Sequence, residues 1–375
     1  MSHIEQSHIL QALSRVEDPE IGRPITELDM VKSVEITGTD VAVVIYLTIA
    51  GCPMKSTITD NVRAAIEEID GVGEVTVSTD VMSDEQRRNL RMRLRGGQDD
   101  PVIPFSQPDS TTRVFAVASG KGGVGKSSMT VNLAAALAAR GLSVGILDAD
   151  IYGHSIPHML GSSEAPNMVE DMIMPPQAHG IKHISIAHFT EGNAPVVWRG
   201  PMLHRAITQF LTDVFWGDID VLLVDLPPGT GDVAISISQL LPTAELLIVT
   251  TPQAAAAEVA ERAGTIAQQT RQRVRGVIEN MAAMVLPDGS TMDIFGTGGG
   301  ETVATRLSEL LGTSVPLLGS VPLDPALREQ GDQGTPIALH DPASPSGAAV
   351  TAIADQLLRR EGSLSGVQLG VNPTR

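Results

Sequence analysis

The chain has 375 residues, long for one domain and enough for two. Hydrophobic residues make up 42% and aromatic ones only 3%, so the core has to be built from Val, Ile, Leu, Ala and Met, as in α/β proteins whose central strands are aliphatic on both faces. A net charge of −18 and a pI near 4.8, with no basic stripe visible, disfavour unspecific contact with nucleic acid or anionic lipid, and Cys52, the one cysteine, excludes an internal disulfide.

Residues 1–95 read as a small α+β domain. A helix is predicted over 8–15, then a loop at Asp18-Pro19-Glu20-Ile21-Gly22. Strands over 31–36 and 41–47 flank a turn, and a helix over 56–69 carries Ile58, Val62, Ala65 and Ile69 on one stripe. A third strand over 75–77 follows, and then 84–95 reads as a highly charged helix or a frayed end. Residues 96–112, with Gly96-Gly97, Pro101, Pro104 and Pro108, read as a linker.

From residue 113 to 360 short aliphatic runs alternate with helical stretches. Strands are expected over 114–118, 143–147, 221–224, 246–249, 274–278 and 317–321, with helices such as 126–140 and 301–311 between them. That alternation predicts a doubly wound, mostly parallel α/β sheet. A last helix is expected over 344–360, and the Gly- and Ser-rich tail 361–375 is expected to be disordered. There is no apolar leader-like segment and no run long enough to span a bilayer, so the expectation is a cytoplasmic chain without a membrane partner.

Between the first strand and helix of this second domain lies Gly120-Lys121-Gly122-Gly123-Val124-Gly125-Lys126-Ser127, followed by Ser128. Glycines after a strand and before a helix let successive backbone N–H groups face phosphate oxygens, and the helix N-terminus adds its positive dipole end. Such a P-loop predicts ATP with Mg²⁺: Lys126 for the β- and γ-phosphates, Ser127 for the metal. Asp148 and Asp150 end the second strand and Asp225 ends the third, where the nucleotide crevice of such a sheet lies. Asp225 is expected to hold Mg²⁺ through water, and residues 226–232 to form a switch-like loop under the γ-phosphate. Asp148 and Asp150 can also be read as ordinary strand-end carboxylates. Asn280 is a candidate for the adenine edge or for a strand-end cap, and Pro322 for packing on the base.

Lys121 makes the loop resemble the deviant phosphate-binding loop of the MinD, ParA, ArsA and nitrogenase iron-protein class. In that class the extra lysine reaches the partner's phosphates across a dimer interface, which implies a homodimer with nucleotide between subunits. By the same resemblance Asp150 positions or activates the attacking water and Asp148 serves the outer shell of the metal, so Lys121, Lys126 and Asp150 form the expected catalytic set. Turnover is expected to be slow without a client.

Further motifs are more specific: Asp150-Ile151-Tyr152-Gly153, Trp198-Arg199-Gly200-Pro201-Met202, residues 225–232, Glu279-Asn280-Met281 and Phe295-Gly296-Thr297-Gly298-Gly299-Gly300. Together they resemble the Mrp/ApbC family of P-loop ATPases of iron–sulfur cluster assembly. In the first domain, Asp18 to Gly22 and Thr48-Ile49-Ala50-Gly51-Cys52-Pro53 resemble the small iron–sulfur-assembly domain that precedes the ATPase in longer members. The resemblance implies apo iron–sulfur proteins as clients, and its functional cysteine falls on Cys52. A thiol at a helix start also has its thiolate favoured, whereas a buried free cysteine is inert.

One departure stands out. The family's Cys-x-x-Cys after Glu-Asn-Met is missing, and Leu286 and Gly289 occupy its positions. An iron–sulfur cluster would then need Cys52 from two subunits plus other ligands, or the chain works on clusters held elsewhere. The alternative function is a ParA/MinD-like positioning switch, which lacks here a basic DNA face and a basic amphipathic terminal helix. A nitrogenase-like electron carrier needs two bridging cysteines that are absent. His154/His158 and His179/His183 have the i, i+4 spacing of helical metal ligands, but Pro157 interrupts the first pair, and His179/His183 lies in a strand-like stretch. Arg199 reads as a dimer-interface residue or a structural ion-pair partner. Met168, Met172 and Met174 lie in a loop that offers either a soft interaction surface or plain packing.

Overall fold

A computed structural model of the chain describes residues 4–49, 54–94, 102–151, 153–189, 200–229, 231–253 and 256–359. Cys52, Tyr152, Trp198, Arg199, Thr230 and the tail 361–375 lie outside the described residues.

The first unit runs α1 (Gln6–Leu13), β1 (Val31–Thr37), β2 (Asp40–Leu47), α2 (Lys55–Glu67), β3 (Val75–Val81) and α3 (Asp84–Leu94). Its sheet has the order β1-β2-β3, with β2 antiparallel to β1 and parallel to β3. Alternate residues Val41, Val43, Ile45 and Leu47 of β2 point into the core, the period-two signature of a strand covered on one face. On α2 the fully buried stripe is Ile58, Val62 and Ile66; Ala65, expected from the sequence, is only partly buried, and Ile69, expected on the same helix, is partly buried two residues past its end. The expected and observed stripes share Ile58 and Val62; from there burial continues at i+4 to Ile66 rather than at i+3 to Ala65, and the helix ends before Ile69.

The second unit contains β4 (Arg113–Ala118), α4 (Lys126–Ala138), β5 (Val144–Asp148), α5 (Ile156–Met159), β6 (Asn167–Val169), β7 (Met172–Met174), β8 (Gln177–Ala178) and β9 (Ile181–Ser185). It continues with α6 (Gly200–Thr212), β10 (Val221–Asp225), α7 (Asp232–Leu240), β11 (Glu245–Thr250), α8 (Ala256–Thr270), β12 (Val274–Ala282), β13 (Met284–Val285) and β14 (Thr291–Met292). The last elements are α9 (Gly299–Leu311), β15 (Leu317–Pro322), α10 (Pro325–Asp332), α11 (Ile337–His340) and α12 (Pro345–Leu358). The main sheet has eight strands in the order β15-β12-β11-β4-β10-β5-β9-β8, parallel except for the edge pair β8–β9.

Central strands are buried except at the first residues of β4 and β11, Arg113 and Glu245, and alternate between two apolar layers. Ala116 and Ala118 of β4 join the layer that includes Ile237, Ala260 and Leu307, from α7, α8 and α9. Phe115 and Val117 face the opposite layer, with Leu133, Val350 and Ile353 from α4 and α12. This arrangement places the ends of β4, β5 and β10 side by side, with Asp225 in register with Asp148 and with Val117. Three chain-distant motifs thus meet at one rim of the sheet.

The methionine-rich stretch is an antiparallel hairpin, β6–β7, and it is where the first domain docks. Met172, Met174 and Phe215 are buried in the first domain's core, while Met168 stays exposed. Arg87 pairs with Glu170 at 3.0 Å and Arg91 with Asp171 at 2.7 Å. The turn Asp18 to Gly22 also serves this contact. Asp18 accepts the backbone N–H groups of Glu20 and Ile21 at 2.9 and 3.0 Å, and Glu20 accepts from the Asn167 amide at 2.6 Å. Part of the expected linker is seated too: Phe105 is buried edge-on against Trp216, with ring centroids 6.1 Å apart.

Candidate nucleotide site

The phosphate-binding loop is shaped by its glycines. Gly123 and Gly125 have φ of 76° and 79°, the left-handed region that a side chain resists. At Gly125 there is no room either: a Cβ would lie 2.2 Å from the Asn280 amide nitrogen. Asn280 sits inside the end of β12, buried, and donates to the Val124 carbonyl at 2.9 Å. Its amide therefore braces the loop from below. At the other end, a Cβ on Gly120 would lie 2.9 Å from the Val259 Cα, and Arg262 donates to the Gly120 carbonyl at 3.1 Å. Helix α8 thus clamps the loop start.

A cavity of about 200 Å³ opens above the loop. It is lined by Ser119, Gly122 to Ser128, Asp150, Ser155, Met159 and Pro228. A larger cavity of about 560 Å³ lies under the linker, between Arg23, Phe105 and Trp216, and contains no phosphate-binding loop.

The structure brings Lys126, Ser127, Asp148, Asp150 and Asp225 together. Lys126 is buried, with its ammonium 2.8 Å from Asp225 and 3.8 Å from Asp150. Ser127 Oγ donates to Asp225 Oδ2 at 2.6 Å. Asp148 is fully buried and accepts the Ser185 hydroxyl at 3.0 Å and the Asp150 N–H at 3.2 Å. Burial, and then the negative charge of Asp225, push its carboxyl up to about 7. Burial also raises Asp150, opposed by the Lys126 charge, and the Gly153 N–H donates to its Oδ1 at 3.1 Å. Hard oxygen donors Ser127 and Asp225 at the loop edge suit Mg²⁺, which binds through one or two protein oxygens, phosphate and retained waters.

Lys121 is placed apart from this group. It does not line the cavity, and its ammonium donates to the Gln253 side chain on the loop after β11. Pro322 ends β15 opposite Ala282 and does not line the cavity above the loop.

Several partners are invisible in the sequence. Ser185 and Asp148 meet only because β9 lies beside β5, an order no local pattern announces. Thr130, which donates to Asp225 Oδ1 at 2.8 Å, has a usable signal: it lies four residues after Lys126 on the same helix face.

The histidine pairs do not form helical ligand sets. Helix α5 spans only Ile156–Met159, leaving His154 outside it, and His179 reaches the Gly334 carbonyl at 3.0 Å instead of joining His183. Among the described residues no cluster of three or more His, Cys, Asp or Glu is arranged for a metal. His183 is fully buried against His188, ring centroids 5.3 Å apart, with neither ring nitrogen bonded. Burial, reinforced by His188, lowers His183 to about 3. A histidine depressed on folding stabilises fully above its unfolded pKa of about 6.5, and that contribution is lost as pH falls toward the folded value. Between pH 7 and pH 5 His183 is expected to cost the fold about 2 kcal/mol. Asp148 acts with the opposite sign, taking up its proton in the folded state, but does so equally in a His183→Met variant. Denaturant midpoints at the two pH values should therefore fall less in His183→Met than in the wild type.

Where a cluster-binding Cys-x-x-Cys would lie, the chain makes a tight turn between β13 and β14. Leu286 donates to the Ser290 carbonyl and Gly289 to the Leu286 carbonyl, both at 2.9 Å, and Gly289 has φ of 82°. Asp288 accepts from the Ser290 hydroxyl at 2.6 Å. The turn satisfies itself and presents no soft donor.

Comparison with known proteins agrees with this geometry. A family model described as NUBPL iron-transfer P-loop NTPase matches residues 110–358, and one described as iron-sulfur cluster assembly protein matches residues 6–77. An iron-sulfur cluster carrier protein of Mycobacterium bovis is 65% identical over 369 residues, covering 98% of this chain and 97% of that protein. A protein of the same description from Synechocystis sp. is 41% identical over 356 residues, covering 93% and 96%. Among solved structures, a nucleotide-binding protein in complex with ADP from Archaeoglobus fulgidus is 34% identical with a TM-score of 0.51, covering 67% of this chain and 91% of that one. The P-loop, the carboxylates around it and these matches over both domains place the chain in the family of NUBPL iron-transfer P-loop NTPases, with an iron–sulfur-assembly domain ahead of the nucleotide-binding one.

Proposed function

We propose that the chain hydrolyses ATP slowly and uses the nucleotide cycle to carry iron–sulfur clusters, or help transfer them, to apo client proteins. It works as a homodimer with nucleotide at the interface. The observation that carries this reading is the phosphate cavity. Lys126 and Ser127 line it and both bond Asp225 buried behind them, in a chain similar over nearly its whole length to iron-sulfur cluster carrier proteins.

Loop N–H groups and the start of α4 receive the β- and γ-phosphates. Lys126 and Ser127 exchange their bonds to Asp225 for bonds to the nucleotide. Bound Mg²⁺ would offset phosphate charge, held by Ser127 and, through water, by Asp225. Asp150, on the cavity wall and fixed by the Gly153 N–H, orients the attacking water. Lys121 of one subunit reaches the phosphates of the other. Asn280 and Pro322 are proposed for the adenine side, although Asn280 spends one amide hydrogen on Val124.

The cluster is cargo. Of all residues in the chain only Cys52 offers a thiolate, so two subunits supply two, and a small thiol or the client completes the set. Anaerobic reconstitution followed by iron and acid-labile sulfide assays tests this. The expected result is cluster on the wild type and loss on Cys52→Ala. Clusters on neither protein would end direct carriage and leave assistance to clusters held by others.

A further inference from the structure

The carboxylate that ends β10 has its two oxygens divided between different partners. Asp225 Oδ2 faces the Lys126 ammonium at 2.8 Å and accepts from Ser127 at 2.6 Å. Both of these partners are the groups that nucleotide would draw away. Asp225 Oδ1 accepts from Thr130 Oγ1 at 2.8 Å. Thr130 is fully buried one turn further along α4 and cannot reach the cavity.

A threonine inside a helix ordinarily returns its hydroxyl to the carbonyl four residues back. That acceptor is present here, the Lys126 carbonyl at 3.0 Å. The hydroxyl has one hydrogen, and the carboxyl oxygen lies nearer, at 2.8 Å against 3.0 Å, so the bond goes to Asp225. The consequence is an anchor that does not change when the site fills. Lys126 and Ser127 are free to turn to phosphate, while Asp225 keeps its plane because its inner oxygen stays held.

We propose that Thr130 is a positioning residue for the metal-bearing carboxylate, fixing Asp225 Oδ1 so that Oδ2 points to where Mg²⁺ accompanies the nucleotide. This rests on the nucleotide-binding reading above. It assigns Thr130 a role in metal dependence, separate from packing.

The test is ADP binding by calorimetry with and without Mg²⁺, together with Mg²⁺ titrations of turnover, on the full chain. Thr130→Val keeps the shape and removes the hydroxyl. It should raise the half-saturating Mg²⁺ concentration about tenfold, with metal-free ADP affinity within about twofold of wild type. At saturating Mg²⁺ the KM for ATP should be unchanged. Thr130→Ser, which restores the hydroxyl, should return the Mg²⁺ dependence to wild type. If Thr130→Val does not fold, Thr130→Ser against Thr130→Ala carries the same comparison. Wild-type Mg²⁺ dependence in the hydroxyl-free variant overturns the proposal. So does an equal fall of metal-free and Mg²⁺-dependent affinity, the mark of packing alone. A wild-type protein that shows no Mg²⁺-dependent nucleotide binding removes the nucleotide reading itself, and this proposal with it.

Discussion

Lys126→Ala should lower ATP and ADP affinity by at least about a hundredfold, because it deletes the buried ammonium that lines the cavity above the loop. Isothermal calorimetry should give a flat trace at concentrations that saturate the wild type. The same change should also weaken the empty protein. Lys126 is the cation that offsets Asp225 at 2.8 Å and Asp150 at 3.8 Å, with fully buried Asp148 beside them. Removing one partner from a buried set strands the others at a cost of about 3 kcal/mol. Asp148 and Asp150, already raised by burial, should rise further and take up protons that the wild type leaves in solution. Stability of the variant should therefore improve on mild acidification relative to wild type, and denaturant melts at pH 7.5 and 6 measure that difference. Normal nucleotide affinity in this variant would remove the P-loop assignment.

What the sequence reveals of this site follows from how each residue reaches it. Gly120 to Ser127 is contiguous, and its demands on backbone geometry are written in the residue types themselves. Asp148, Asp150 and Asp225 are legible because parallel strands put their C-terminal ends on one rim whatever the strand order. Contacts that depend on which strand neighbours which are not legible. Ser185 finds Asp148 across the β5–β9 pair, and Asn280 at the end of β12 finds Val124, in the loop after β4, past the intervening β11. The short strands β6 and β7 read as a loop because three-residue strands carry too few residues to show a period. That same stretch seats the first domain, so Met172 and Met174 are packing residues and only Met168 remains at the surface. The missing cysteine pair is legible directly, since no fold can give Leu286 or Gly289 a soft ligand atom. The structure adds that the replacement is a self-bonded turn rather than a distorted metal loop.

Lys121→Ala separates the two lysines of the loop. Lys121 does not line its own cavity, and its ammonium rests on the exposed, neutral Gln253 amide. An exposed hydrogen bond of that kind holds it by only about 1 kcal/mol, so a swing toward a second subunit's phosphates is inexpensive. Nucleotide affinity of the single chain should stay within about threefold of wild type, because nothing in the cavity is lost. Dimer formation with ATP should disappear in light scattering. Turnover should fall about a hundredfold, the scale of losing one charge aimed at the transition state. Lys121→Arg is the stricter control: it keeps the charge but changes reach and geometry, and should recover dimerisation better than turnover. Lys126→Ala and Lys121→Ala then fail in different ways, the first at binding and the second at assembly. If Lys121→Ala hydrolysed ATP at the wild-type rate, the charge crossing the interface would not be part of the mechanism. The nucleotide would then have to be cleaved within one subunit, by Asp150 and the groups around it alone.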